Sequence, residues 1–448
     1  MNSINFLKSL LILTCNCIII PQLLSAQNVG IGISTPVYKL DVRNGSINTD
    51  SVYRIDGNTV LSVKGFGNTF TGRYSGTDNT TGMYNTATGN TALSNNTIGI
   101  ANTANGAFSL VVNTVGSYNV ANGYLALNGN TAGNYNTANG VGSLFLNETG
   151  SYNTANGYHT LYNNNTGVYN TASGVQALLS NTGGSYNTAS GVEALKNNDL
   201  GNFNTAHGYL ALFSNYGGVE NTAVGNRALF SNLYGGANTA IGSEALTSNL
   251  GSYNIGIGYG ADVNPGGISN VIAIGSNLTV FASNTARFGN SATISYGGWA
   301  GWTNVSDGRF KKDIRENVPG LDFINKLRPV TYTLDARRLD EFYNKNDKNK
   351  KPLSNEIKAV FESALREKEK IVYTGFIAQE VEATAKEMGF DFSGVDAAKN
   401  ENDTYGLRYA EFVVPLVKAV QEQQAMIKAL EKQNELLQKR IALLENKK

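Results

Sequence analysis

Between residues 68 and 253 the apolar and small residues follow neither a 3.6-residue nor a two-residue period; the whole pattern returns every 17 residues, as in "SYNTANGYHTLYNNNTG" from Ser151 and "SYNTASGVEALKNNDLG" from Ser185. Asparagines anchor the register at Asn68, Asn85, Asn102 and onward to Asn238, after which the spacing relaxes to sixteen at Asn254 and Asn270 and fourteen at Asn284. In every copy from Asn85 to Asn238 a glycine stands four positions after the anchor (Gly89 through Gly242) and a leucine eight positions after it (Leu93 through Leu246). A fixed glycine marks a turn that needs positive φ or a close backbone approach, and a fixed leucine marks one buried contact per repeat.

Gly, Asn and Thr in every unit lower helix propensity and favour turns and strands. The pattern therefore predicts a β-solenoid. One coil cannot bury its own leucine, so coils stack, with a ladder of Leu and Ala inside and Asn and Thr paired between coils. At ~4.8 Å per stacked strand, about a dozen coils give a rod on the order of 60 Å long. A disordered Gly/Asn linker shares this composition. It has no reason to hold leucine in phase, or to place Tyr84, Tyr118, Tyr135, Tyr152, Tyr169, Tyr186 and Phe203 just before their anchors.

After Trp302 the patterning changes to mixed helical and strand spacing, and charged residues become frequent. The expected elements are a short strand or helix start over Phe310–Arg315, a helix over Gly320–Leu327 and a strand over Val330–Leu334. A polar excursion over Asp340–Lys351 follows, then a helix over Ser354–Lys370, a strand over Ile371–Ile377 and a helix over Gln379–Met388. From Tyr409 to the end the pattern is helical. Val413, Val420, Ile427, Asn434 and Ile441 share one heptad position, and Leu416, Gln423, Leu430, Leu437 and Leu444 lie three residues later, which is a coiled-coil seam. Pro415 sits near the start of that helix, where proline is tolerable in a first turn or marks a kink. Ile at a, Leu at d and one Asn at a favour two strands.

The N-terminus changes the picture at one end. Lys8, an apolar run from Leu10 to Leu24 interrupted by Thr14, Asn16, Pro21 and Gln22, and the small pair Ser25-Ala26 read as an export signal cut after Ala26. Both cysteines, Cys15 and Cys17, lie inside it, so the mature chain has no thiol chemistry; acylation of Cys15 is the alternative reading. The run is too broken to span a bilayer comfortably, and no other stretch approaches ~20 apolar residues, so no transmembrane segment is expected in the mature chain.

Charge excludes more than it suggests. The formal net charge is +1, and between Asn85 and Tyr253 only Glu148, Glu193, Lys196, Asp199, Glu220, Arg227 and Glu244 are charged, so nucleic acid is not an expected partner. His159 and His207 occupy variable repeat positions without a ligand cluster, and no metal or other cofactor is expected. The glycines of "GIGYG" at Gly256–Gly260 lack the strand-turn-helix frame of a phosphate loop and suit a solenoid corner.

Three resemblances follow from these residues. The "NTAxGxxAL" units and "NVIAIGSNLTV" from Asn270, roughly residues 68 to 290, resemble the head repeats of trimeric autotransporter adhesins, although the 17-residue period is longer than usual and leaves handedness and coil shape open. "NVGIGISTPVYKLDV" from Asn28 to Val42 is similar to segments that begin many tail-fibre-like proteins and is read as a small β cap. "SDGRFKKDI" (Ser306–Ile314), "LRPVTYTL" (Leu327–Leu334), "YTGFIAQEVE" (Tyr373–Glu382) and "YGLRYAEFVVPLVKAVQE" (Tyr405–Glu422) resemble, in order and type, the endosialidase-type intramolecular chaperone. That resemblance implies a trimer that templates the β-rich fibre upstream and then cuts itself off. Its serine falls on Ser306, its lysine on Lys311 and its scissile bond on Val305-Ser306. It also sets three chains against the two-stranded heptads, and a rod and its terminal coil must share one symmetry.

The chemistry is coherent. Serine is a weak nucleophile until a base takes its proton, and with no histidine in this segment a lysine is the available activator, with Lys312 adjoining. Without the three later blocks, Ser306-Asp307-Gly308 reads equally well as an exposed turn. The expected organisation is a signal peptide (1–26), a β cap (27–67), a β-solenoid (68–305), an intramolecular chaperone and single-turnover Ser/Lys self-peptidase (306–412) and a coiled coil (413–448). The expected protein is mostly β, with a small α+β chaperone. It would be a secreted homotrimeric surface fibre, with a cell-surface glycan or protein as the ligand class open to its stalk. In the alternative, the same fibre keeps a proteolytically inactive trimerisation domain.

Overall fold

The computed structural model describes residues 29–31, 40–42, 52–55, 57–299, 303–345 and 355–446. The export-signal expectation, with Cys15 and Cys17, lies outside the described residues, as do parts of the cap and of the polar excursion.

A β-solenoid of about 13 turns dominates the chain. Its sheet has 16 strands stacked in chain order from Val52–Ile55 to Thr285–Phe288. The repeat strands are three residues long, parallel and in identical register: Thr154 pairs with Thr171 and Thr171 with Thr188. The middle residue of each, Ala87 through Ala240, points into the core, and its neighbours face outward. All ten repeat leucines are fully buried. At the N-terminal end Phe70 takes the alanine position and plugs the core, and an antiparallel hairpin (Val52–Ile55 with Asn58–Ser62) closes the sheet edge.

The fixed glycine meets both conditions expected of it. Gly174 has φ 128°, and a Cβ there would lie 2.4 Å from the carbonyl oxygen of Gly191 in the next turn. The leucines were not expected to share its handedness, yet all ten have φ between 49° and 52°. Left-handed backbone costs a non-glycine residue roughly 1–2 kcal/mol. Burying the side chain returns about 1.5–3 kcal/mol. Each leucine N–H is also tied to the next turn, as in Leu178 N–H to Ala194 O at 3.0 Å.

Two buried asparagine ladders run through the rod. In the anchor ladder each backbone N–H donates to the preceding anchor's Oδ1 (Asn170 to Asn153, 2.9 Å), and each Nδ2 donates to a glycine carbonyl (Asn170 to Gly184 O, 2.8 Å). A second ladder, eleven positions after each anchor, links side chain to side chain: Asn164 Nδ2 donates to Asn147 Oδ1 at 2.8 Å and to Gly167 O at 2.9 Å. These contacts satisfy amides that would otherwise be buried unpaired. Outside, Tyr118, Tyr135, Tyr152, Tyr169, Tyr186 and Phe203 stack face to face, with ring centroids 4.8–5.1 Å apart.

The C-terminal segment is small and α/β. It holds five helices, α1 (Leu321–Lys326), α2 (Ala336–Asn344), α3 (Asn355–Glu369), α4 (Ala378–Glu387) and α5 (Val413–Glu445), and an antiparallel pair, Val330–Thr333 with Val372–Gly375. Its core is Phe323, Val381, Ala385, Phe392 and Phe412. The quoted motifs meet here. Arg328 Nε donates to Glu380 Oε2 at 3.1 Å, Tyr332 stacks on Tyr373, Tyr405 donates to Glu382 at 3.2 Å, and Phe376 N–H donates to the Tyr409 hydroxyl at 3.1 Å. Gly320 lets α1 approach α5: a Cβ would lie 2.8 Å from Ala419 N, and Leu321 N–H donates to Glu422 at 2.8 Å.

Two local expectations are corrected. Phe310–Arg315 holds no strand or helix beyond a single turn over Gly308–Phe310. The supposed excursion from Asp340 begins inside α2, whose Leu339, Phe342 and Tyr343 have helical spacing and whose N-terminus is capped by Asp335 accepting from Arg338 N–H at 2.9 Å. Pro415 sits at the third position of α5, which continues directly from a single turn over Tyr409–Phe412.

Candidate functional site

Ser306 and Lys311 lie on an exposed connection between the solenoid and α1. Asp307 caps the turn over Gly308–Phe310 by accepting from Arg309 N–H at 2.9 Å, and its carboxylate also takes Arg309 Nε at 2.9 Å and Nη2 at 2.6 Å. The Arg309 guanidinium holds the Asp307 carboxyl below its ordinary range. Phe310 N–H and Lys311 N–H close the turn on Asp307 O and Gly308 O.

One tight turn across five residues folds the lysine back over the serine. Lys311 Nζ lies 2.9 Å from Ser306 Oγ. The structure thus brings the two expected residues together and selects Lys311 over Lys312 for the contact. Val305, whose carbonyl precedes Ser306, is 90% exposed. Phe310 and Ile314 are likewise open to solvent.

Residues 306–390 match the peptidase family described as the chaperone of endosialidase. The matched segment is similar to a chaperone-of-endosialidase domain. The match begins at Ser306 and ends before the Tyr405–Glu422 block. No curated protein and no solved structure matches the chain. The family implies a trimeric assembly for the chaperone domain and a tail-fibre-like protein.

Outside the domain, His159 is wedged between Tyr158 and Tyr162, with ring centroids 3.9 and 4.6 Å away, and burial lowers its pKa. Among the described residues no group of three or more His, Cys, Asp or Glu is placed to hold a metal, and no helix is long and apolar enough to cross a membrane. Sequence reasoning passed over the second asparagine ladder, although its column of Asn96 through Asn249 is as regular as the anchors. It also passed over the contacts between the last solenoid turn and the chaperone domain, whose residues belong to no repeat and no quoted motif apart from Asn270–Val280 nearby.

Proposed function

We propose that the chain is a secreted homotrimeric fibre whose chaperone domain directs assembly and then severs the Val305-Ser306 bond. The observation that carries this reading is the 2.9 Å approach of Lys311 Nζ to Ser306 Oγ at the first residue of the family match. Neutral Lys311 takes the hydroxyl proton as Oγ attacks the carbonyl carbon of Val305. The Val305–Ser306 C–N bond then breaks, the lysine returns the proton to the leaving amine, and water hydrolyses the Val305 ester. The attack is intramolecular, so positioning replaces substrate binding and turnover is single.

A lysine serves as base only when uncharged, which burial promotes. In the single chain the dyad is open, and so are the heptad residues of α5: Val420, Leu430, Leu437 and Leu444 are all more than half exposed. Packing three copies along α5 would cover that seam, and the apolar Val305, Phe310 and Ile314 would carry a neighbour over the dyad. Cutting is then tied to completed assembly. A denaturing gel tests this: the wild type should run as two fragments and Ser306→Ala and Lys311→Ala as one, whereas an intact wild-type chain in assembled trimers favours the permanently attached, inactive clamp.

A further inference from the structure

The chaperone domain grips the last turns of the solenoid through side chains that all lie on one side or the other of the proposed cut. From the solenoid, Arg287 on the terminal strand places Nη2 2.6 Å from Asp403 Oδ1, with the Asp403 side chain only 4% exposed, and Nη1 donates to the Tyr343 hydroxyl at 3.3 Å. Tyr343 in turn shares a 2.6 Å hydrogen bond with Thr404 and stacks on Phe281 at 5.6 Å. Asn400 Nδ2 donates to Phe281 O at 2.8 Å, Ser291 Oγ to Asp340 at 2.6 Å, and Lys368 Nζ to Thr293 O at 2.8 Å. Burial pushes the Lys368 ammonium below its ordinary pKa.

We infer that this surface, built from α2, the end of α3 and the 400–404 loop, is a latch that holds the chaperone on the rod tip after the backbone is cut, making release a separate step. The inference rests on the proposed cleavage only for its timing. Phe281, Arg287, Ser291 and Thr293 precede Val305, and Asp340, Tyr343, Lys368, Asn400, Asp403 and Thr404 follow Ser306, so hydrolysis removes none of these contacts. The partner that this surface fits is the terminal solenoid turn of the same protein.

The character of the interface suits a joint that opens. Permanent interfaces are large, apolar and closely packed, and separable ones are more polar. Here a largely buried charge pair, single hydrogen bonds and one ring stack carry the contact, and an open pocket of about 500 Å³ lies beside Phe288, Tyr296, Leu339 and Tyr343. The terminal strand Thr285–Phe288 is also the last of the 16-stranded sheet, an edge that invites pairing with other chains when bare. The latched domain holds that strand through Arg287, while Ala286 and Phe288 stay exposed.

The test is independent of self-cleavage. In the Ser306→Ala chain, a recognition sequence for a site-specific protease replaces Thr303–Val305, and the purified assembly is cut externally and passed over a sizing column. Co-elution of the fragments, with separation when Arg287→Ala or Asp403→Asn is added, is the expected result. Removing one partner of a buried charge pair should weaken association by on the order of a hundredfold. Circular dichroism of each uncut variant establishes that the rod is intact, and Tyr343→Phe, which keeps the ring, supplies a milder second lesion. Separation of the cut parent fragments, or co-elution of all three variants like the parent, overturns the latch. Failure of the wild type to cut itself while the externally cut fragments still co-elute overturns the cleavage reading alone.

Discussion

The rod's strength should reside in its buried amides, and Asn164→Ala is the sharpest probe of that. Asn164 donates to Asn147 Oδ1 at 2.8 Å and accepts from Asn181 Nδ2 at 2.7 Å. Truncation leaves both of those partner atoms buried without this contact. Gly167 O keeps its donor from Asn153 and Asn181 Nδ2 keeps Gly184 O, so Asn147 Oδ1 is the group left orphaned. At about 1–3 kcal/mol for an orphaned group, local stability falls by about that amount. Asn156→Ala removes only an outer-face contact, a 2.8 Å bond from Asn139, which water replaces. Hydrogen exchange on the uncut Ser306→Ala chain reads the difference locally. Protection over residues 158–182 should drop at least about fivefold for Asn164→Ala and stay close to the parent for Asn156→Ala. Equal protection in the two variants would refute the claim that the inner ladder holds the turns together.

Gly174→Ala should abolish stacking at that turn, because its Cβ meets the Gly191 backbone at 2.4 Å. Gly183→Ala, which meets only side chains, Leu200 at 3.2 Å and Thr166 at 3.6 Å, should fold within about 0.5 kcal/mol of the parent; soluble yield and melting curves check both. Asp307, held acidic by Arg309, should contribute to the Ser306–Lys311 turn above about pH 3.9, the ordinary carboxylate value, and lose that contribution as pH falls through its lowered pKa. An NMR titration of the Arg309 amide should therefore show a midpoint below about 3.9 that Arg309→Ala raises towards it. Leu430→Glu places a charge in the α5 seam and should lower the sedimentation mass from a trimer to a monomer; a two-chain wild-type mass would favour the two-stranded heptad reading instead.

How much was legible follows from what repetition encodes. A strict 17-residue recurrence of Asn, Gly and Leu specifies a stack, and the structure buries the Asn and Leu and sets each Gly against the backbone of the next turn. Repetition does not say which positions adopt positive φ, so the leucines' handedness could not be read: it follows from the path of the coil, set jointly by Gly174 and its equivalents and by both asparagine ladders. Non-repeating segments carry less information. Helix α2 was hidden because Arg337, Arg338, Asp340 and Glu341 dilute its apolar face, and that face is visible only against Phe281 and the last turn of the rod. At the candidate site the five-residue Ser-Lys spacing was legible. The turn that exploits it depends on Asp307 gripping Arg309, which the sequence shows only as ordinary turn residues.

The central claim is that assembled chains cut themselves at one bond. N-terminal sequencing of the smaller fragment from freshly purified wild-type protein tests it most directly. The account predicts a single sequence beginning Ser306-Asp307-Gly308, absent from Ser306→Ala and from Lys311→Ala. A fragment that begins elsewhere, or one that still begins at Ser306 when Lys311 is alanine, would contradict it.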